Sequence, residues 1–161
     1  MFSSKDSVVI VSAKRSAIGS FCGSLSSLPA HEIGSEVIKD IIKKTAIDAS
    51  EIDEVILGQV LTAGQGQNPA RQAAIKAGVP VEKTALGINQ VCGAGLRAVA
   101  MGMQQLSMGD ANMIIAGGQE SMSLSHHASN MRNATKMGNT EFIDTMIKDG
   151  LWDVYNNYHM G

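Results

Sequence analysis

Apolar positions along the chain follow two spacings, and the changes between them mark the elements. The run Ser7-Val8-Val9-Ile10-Val11-Ser12 is continuously apolar and β-branched, which predicts a strand covered on both faces, as in a parallel α/β sheet. Residues 14–28 are rich in Ser and Gly and read as a loop. From Ala30 the spacing becomes helical: Ile33, Val37, Ile38, Ile41 and Ile42 form one stripe, with Glu36, Lys39, Asp40 and Lys43 on other faces. Val55-Ile56-Leu57 predicts a short second strand, followed by a sparsely charged segment over 58–67. Asn68-Pro69 has the chemistry of a helix start, Ala70 to Ala77 propagates it, and Gly78 supplies a left-handed stop. Residues 84–89 predict a third strand.

The segment 90–103 has small or apolar residues at nearly every angular position and one charge, Arg97, which predicts a helix buried on most sides. Residues 112–116 read as a fourth strand, stopped by Gly117-Gly118. Strand–helix alternation over 7–116 predicts right-handed parallel crossovers and an α/β domain. Beyond it the texture changes. Residues 119–140 have no sustained period, and 140–152 predict an amphipathic helix anchored by Phe142, Met146 and Leu151. The polar and aromatic stretch 155–161 ends abruptly, as expected of a cut in a longer polypeptide.

Composition narrows the function classes. Of 161 residues, 44% are hydrophobic and 17% charged, which suits a packed soluble domain rather than a disordered chain. Aromatics are only 4%, while Gly (17) and Met (10) are frequent, so aliphatic side chains and close backbone approaches must build the core. Thirteen basic and 15 acidic residues leave a net charge of −2 without a basic patch, so no nucleic-acid partner is expected. No apolar stretch has the length of a membrane span, and Met1-Phe2-Ser3-Ser4-Lys5 is not a signal peptide; a cytoplasmic, reducing location is expected, with Cys22 and Cys92 free. Neither cysteine has zinc-site spacing, and Gly64-x-Gly66 lacks the rest of a dinucleotide-binding pattern.

Cys92 follows a predicted strand and precedes a helix with early glycines. Free N–H groups at such a helix start favour a thiolate and stabilise negative charge on an acyl oxygen. Locally two readings stand, a nucleophile or a thiol packed among small residues. Cys22, in Gly19-Ser20-Phe21-Cys22-Gly23, reads as structural.

At Asn89-Gln90-Val91-Cys92-Gly93-Ala94-Gly95-Leu96-Arg97-Ala98 the sequence closely resembles the acyl-enzyme motif of the thiolase family. The resemblance extends through Lys14 to Gly19, Gly58-Gln59-Val60, Gly66 to Arg71, Gly117 to Ser123, Asp149-Gly150-Leu151-Trp152 and Tyr158-His159-Met160-Gly161, nearest the acetoacetyl-CoA-forming branch. It implies an incomplete thiolase-like α/β fold: most of the N-terminal α/β half (1–120) and the start of an inserted loop domain (121–161). It also implies that Cys92 takes an acetyl group from acetyl-CoA, which the alpha carbon of a second acetyl-CoA then attacks to give acetoacetyl-CoA; thiolysis is the reverse. By the same resemblance His159 and Met160 line the substrate pocket, and Asn89, Gly93, Gly95 and Gly118 shape its surroundings, with Glu120 in the turn after the fourth strand.

A coenzyme A thioester is then the substrate, with no tightly bound cofactor. Residues 131–140 match a hairpin that joins dimers into tetramers, implying a homo-oligomer, a dimer of dimers when intact. Arg71 is expected as an exposed helical residue or an interface ion pair, and His126-His127 as a structural pair. The early loop departs from the family pattern by having Arg15-Ser16-Ala17 in place of Arg-Thr-Pro. The family's later Asn-Glu and Gly-His-Pro motifs and second cysteine do not occur, and none of His31, His126, His127 or His159 matches the missing histidine. The missing C-terminal half is therefore the expected partner, and these residues alone are expected to lack condensing activity. The competing expectations are degradative thiolysis of longer 3-ketoacyl-CoAs, and an inactive CoA-binding or oligomerisation fragment.

Overall fold

A computed structural model describes residues 7–133 and 135–161; the Met1-Phe2-Ser3-Ser4-Lys5 segment lies outside them. Three parallel strands form the central sheet in the order β2-β1-β3: β1 is Glu54–Gly58, β2 Thr84–Ile88 and β3 Ile114–Gly118. Leu57 stands opposite both Gly87 and Gly117, so all three strands run the same way and end at one edge. Helix α1 (Ala30–Thr45) precedes β1, α2 (Pro69–Lys76) joins β1 to β2, and α3 (Ala94–Met108) crosses from β2 over β1 to β3.

Side chains alternate across a strand, and this divides the sheet between the helices. Val55, Leu57 and Ile115 share one cluster with Ile38 of α1, with Ala70, Ala73 and Ala74 of α2, and with Val79. Ile56 and Gly58 take the opposite face, where a side chain on Gly58 would run into the backbone of Ala94 and Gly95. Central β1 is therefore buried on both faces, with Val55 and Ile56 each at 0% exposure.

The α2 start forms as the sequence predicts. The Asn68 side chain accepts from the Arg71 N–H (3.0 Å), Pro69 occupies the first turn, and Gly78 follows the helix at φ +97°. Arg71 is not a free surface charge, and among the described residues it has no carboxylate partner. Its guanidinium donates to the carbonyls of Lys83 (2.9 Å) and Val81 (2.7 Å), fastening the connection from α2 to β2.

Four expectations require correction. Residues 7–12 form no strand among the described residues, and Val9, Ile10 and Val11 stand 66–78% exposed. A β-branched run becomes a strand only where a sheet edge meets it, and none does here. The α3 helix is buried only along Ala94, Ala98 and Gly102, and Leu96 is 79% exposed. Its small residues let it lie close to the sheet, but only on one side. The fourth strand runs through Gly117 and Gly118 rather than stopping before them. Gly118 has room there for the helix backbone, with Gly95 Cα only 3.3 Å from where a Cβ would sit.

The region 140–152 is not an amphipathic helix. It holds a two-residue strand, β5 (Ile143–Asp144), and a π-helical turn over Met146–Leu151, with Phe142 exposed. β5 pairs antiparallel with β4 (His127–Ala128), closing the base of an excursion whose described residues 130–133 and 135–142 are exposed and which turns at Gly138 (φ +91°). A second small ladder joins β6 (Trp152–Asp153) to β7 (Tyr158–His159). Among the described residues no helix is long and apolar enough to cross a membrane.

Candidate active site

In open parallel sheets the carboxyl ends of the strands converge on a crevice, because neighbouring connections leave in opposite directions there. That is the case here: β1 continues into 59–61, β2 into 89–93, and β3 into 119–121, all at one edge. The Gln59 N–H donates to Ile88 O (3.0 Å) and the Gln119 N–H to Gly58 O (3.0 Å), extending the ladder past the last paired residues.

Cys92 sits in the tight turn between β2 and α3. Asn89 Oδ1 accepts from the Val91 N–H (2.8 Å), Val91 adopts φ +47°, and the Gly93 and Ala94 N–H groups close back onto the carbonyls of Gln90 and Val91 (3.1 Å each). The first helical hydrogen bond then runs from the Arg97 N–H to Gly93 O (2.9 Å). Among the described residues the N–H groups of Cys92, Gly95 and Leu96 find no protein acceptor, as expected at an uncapped helix start. Cys92 is exposed, which removes the reading of a thiol packed among small residues. An exposed thiol beside unpartnered main-chain donors has the parts needed to attack a carbonyl carbon and hold the resulting oxyanion.

Through its bond to the Val91 N–H, Asn89 braces the turn. Of the glycines, Gly93 has ordinary φ and a Cβ there would stand 3.4 Å from Gln90 O, while Gly95 and Gly118 face each other across the helix–sheet contact. Gly58 makes the tightest approach to main chain: a Cβ would lie 2.4 Å from Ala94 C and 2.6 Å from Gly95 N. The Gly58-Gln59-Val60 block marked the position in the sequence, but not this packing role.

A polar cluster next to this edge was also missed. Gln119 Nε2 donates to Gln59 Oε1 (2.8 Å) and Gln59 Nε2 to Leu61 O (3.2 Å), with both glutamines buried. Glu120 accepts from the N–H groups of Val60 (2.8 Å) and Leu61 (3.3 Å). Burial raises the Glu120 carboxyl above its ordinary value, against the pull of those N–H groups and that of Ser121.

His159 and Met160 lie at the end of the β6–β7 hairpin and are exposed, His159 accepting at Nδ1 from the Gly161 N–H (2.9 Å). The other imidazoles engage elsewhere. His127 approaches Asp144 (3.9 Å), His126 packs against Gly64, and His31 Nδ1 is buried with no partner among the described residues. Cys22 is exposed rather than buried; it has φ +55° and its N–H donates to Ser123 Oγ (2.9 Å), so its structural part is played by the backbone. Among the described residues no group of three His, Cys, Asp or Glu is placed to hold a metal ion.

A parallel α/β sheet with an exposed cysteine at the amino end of a helix defines a candidate cysteine acyl-transfer scaffold. Comparison supplies the family: residues 8–161 match the model of the thiolase N-terminal domain, and the chain belongs to the thiolase family. It is 59% identical over 158 residues to an acetyl-CoA acetyltransferase of Rhizobium meliloti, covering 98% of this chain and 40% of that relative. Acetyl-CoA acetyltransferases of Paracoccus denitrificans (60% over 153 residues, 95% of this chain, 39% of the relative) and Shinella zoogloeoides (58% over 158 residues, 98% and 40%) are similar. The chain thus spans about 40% of the length of these curated relatives.

Proposed function

We propose that the whole protein condenses two acetyl-CoA molecules to acetoacetyl-CoA and CoA, reversibly, through an acetyl thioester on Cys92. The observation that carries this is the exposed Cys92 at the uncapped start of α3, on the carboxyl edge of the sheet. In the first half-reaction the Cys92 thiolate attacks the acetyl carbonyl carbon, the C–S bond to CoA breaks, and CoA leaves as thiolate. In the second, the alpha carbon of another acetyl-CoA loses a proton to a base and attacks the Cys92 thioester. The new C–C bond forms as the cysteine sulfur departs. The main-chain N–H groups about Cys92 carry the oxyanion in each step. Proton transfer falls to groups in the part of the relatives that this chain does not span, since one cysteine cannot both hold the acyl group and deprotonate carbon.

In this reading residues 1–120 form the nucleophile-bearing domain and 121–161 begin a loop domain for CoA, with His159 and Met160 on the substrate wall. Support comes from the small ladders β4–β5 and β6–β7, which pair apart from the central sheet. The segment 131–140 supplies the contact of a dimer of dimers, and the protein works in the cytoplasm. CoA enters and leaves as substrate and product, and no tightly held cofactor takes part.

Intact-mass and peptide mass spectrometry of the full-length protein after acetyl-CoA treatment tests the reading. One acetyl group on Cys92, lost in Cys92→Ser, is the expected result. Condensation that survives Cys92→Ser, or an acetyl group on Cys22 instead, would overturn it.

A further inference from the structure

Two sequence blocks that the acyl-transfer chemistry leaves without a task, Gly58-Gln59-Val60 and Gly117-Gly118-Gln119-Glu120, meet where the β1–β3 ladder ends at Gly58 opposite Gly118. Once the Gln119 N–H has bonded to Gly58 O, side chains take over from the backbone ladder between β1 and β3. Gln119 holds Gln59, Gln59 holds Leu61 O, and Glu120 holds the Val60 and Leu61 N–H groups. Placing a carboxylate here is unfavourable in itself, because burial opposes its charge. A turn needing only closure would be served by an amide or by main chain.

What the carboxylate holds is a hub. On one side, the Gln59 N–H bonds to Ile88 O, at the root of the turn that carries Cys92. On the other, buried Leu61 packs against Gly150, its Cδ2 lying 3.4 Å from where a Cβ would stand. Leu151 O then accepts from the Met160 N–H (2.8 Å), and Trp152 pairs with His159. One short segment, residues 59–61, therefore links the nucleophile's turn to the hairpin bearing His159 and Met160.

We propose that Glu120 is a positioning residue: by fixing residues 60 and 61 it sets the placement of the His159–Met160 hairpin relative to Cys92, and so governs binding of the acyl-CoA rather than the transfer step. This deepens the functional reading above and rests on it.

The test uses the full-length protein with Glu120→Gln, Glu120→Asp and Leu61→Ala. Gln keeps the shape but sets an amide donor against one of the two N–H groups. The KM for acetyl-CoA should rise about tenfold in Glu120→Gln, with kcat changed less than about threefold and Asp restoring part of the loss. Leu61→Ala, which leaves the carboxylate untouched, should raise KM in the same sense. The proposal fails if kcat falls at constant KM, if the melting temperature drops while both constants hold, or if Leu61→Ala leaves KM unchanged. Absence of acetyl transfer to Cys92 in the unsubstituted protein would instead overturn the underlying function, so the two failures are distinct.

Discussion

Two carboxylates brace opposite edges of the sheet with opposite dependence on pH. Asp53, just before β1, accepts from the N–H groups of Asn112 (2.7 Å) and Met113 (3.3 Å) and approaches Lys83 (3.4 Å), drawing together the entries to all three strands. Those backbone donors, Asn112 first, hold its carboxyl below the ordinary value. A folded pKa lower than the unfolded one gives stability that is complete above the unfolded pKa and is lost as pH falls through the folded pKa. Glu120 behaves in the reverse sense: with its folded pKa raised, its contribution is complete below the unfolded value and lost as pH rises through the folded one. Urea midpoints measured from neutral to acid pH should show the advantage of the natural protein over Asp53→Asn shrinking at low pH. Its standing against Glu120→Gln should improve over that range. Parallel trends for the two variants would contradict these placements. The candidate-site edge thus carries an electrostatic cost that the opposite edge does not.

At the scale of elements, what a glycine is for depends on what faces it. An alanine Cβ at Gly58 would meet the main chain of Ala94 and Gly95, which cannot step aside without shifting the start of α3. Gly58→Ala should therefore cost about 1–3 kcal/mol or more and alter the thiol reactivity of Cys92, read by denaturant unfolding and the rate of thiol alkylation. Gly95→Ala meets nothing nearer than 3.6 Å and gains helix propensity, so its stability should stay within about 1 kcal/mol of the natural chain. Equal losses for the two would refute the ranking. Asn68→Ala removes the cap on Arg71 N–H and a hydrogen bond to Ala85 O (2.9 Å), and should cost about 1–2 kcal/mol in the same unfolding experiment. That cap was legible because capping is local: Asn68, Pro69 and Gly78 state the start and end of α2 within a few residues of each other. The Cys92 turn was legible for the same reason. The 59–61 hub was not, since it forms between positions some sixty residues apart. Neither was the π-helical turn, where the spacing of Phe142, Met146 and Leu151 imitates an amphipathic helix while β4 competes for the residues before it.

Over the whole molecule, sequence reading succeeded with the alternation from α1 to β3, without the strand expected before it, and failed wherever burial depended on what lies opposite. Composition along α3 correctly indicated close packing, yet only the Ala94–Ala98–Gly102 stripe meets the sheet. Leu96, Val99 and Met103, at spacings of three and four, share the outer face and remain exposed, as do Val9, Ile10 and Val11. Contiguous apolar surface of this kind promotes association in water. A 161-residue sample in isolation should therefore bind a hydrophobic dye and self-associate with rising concentration in sedimentation velocity. Leu96→Lys with Met103→Lys should suppress both while leaving the far-ultraviolet circular dichroism unchanged, because neither side chain belongs to the core that joins α1, α2 and the sheet. A natural chain that stays monomeric without binding dye would show this face to be too small to drive association. Loss of the circular dichroism signal in the double variant would show that it supports the fold.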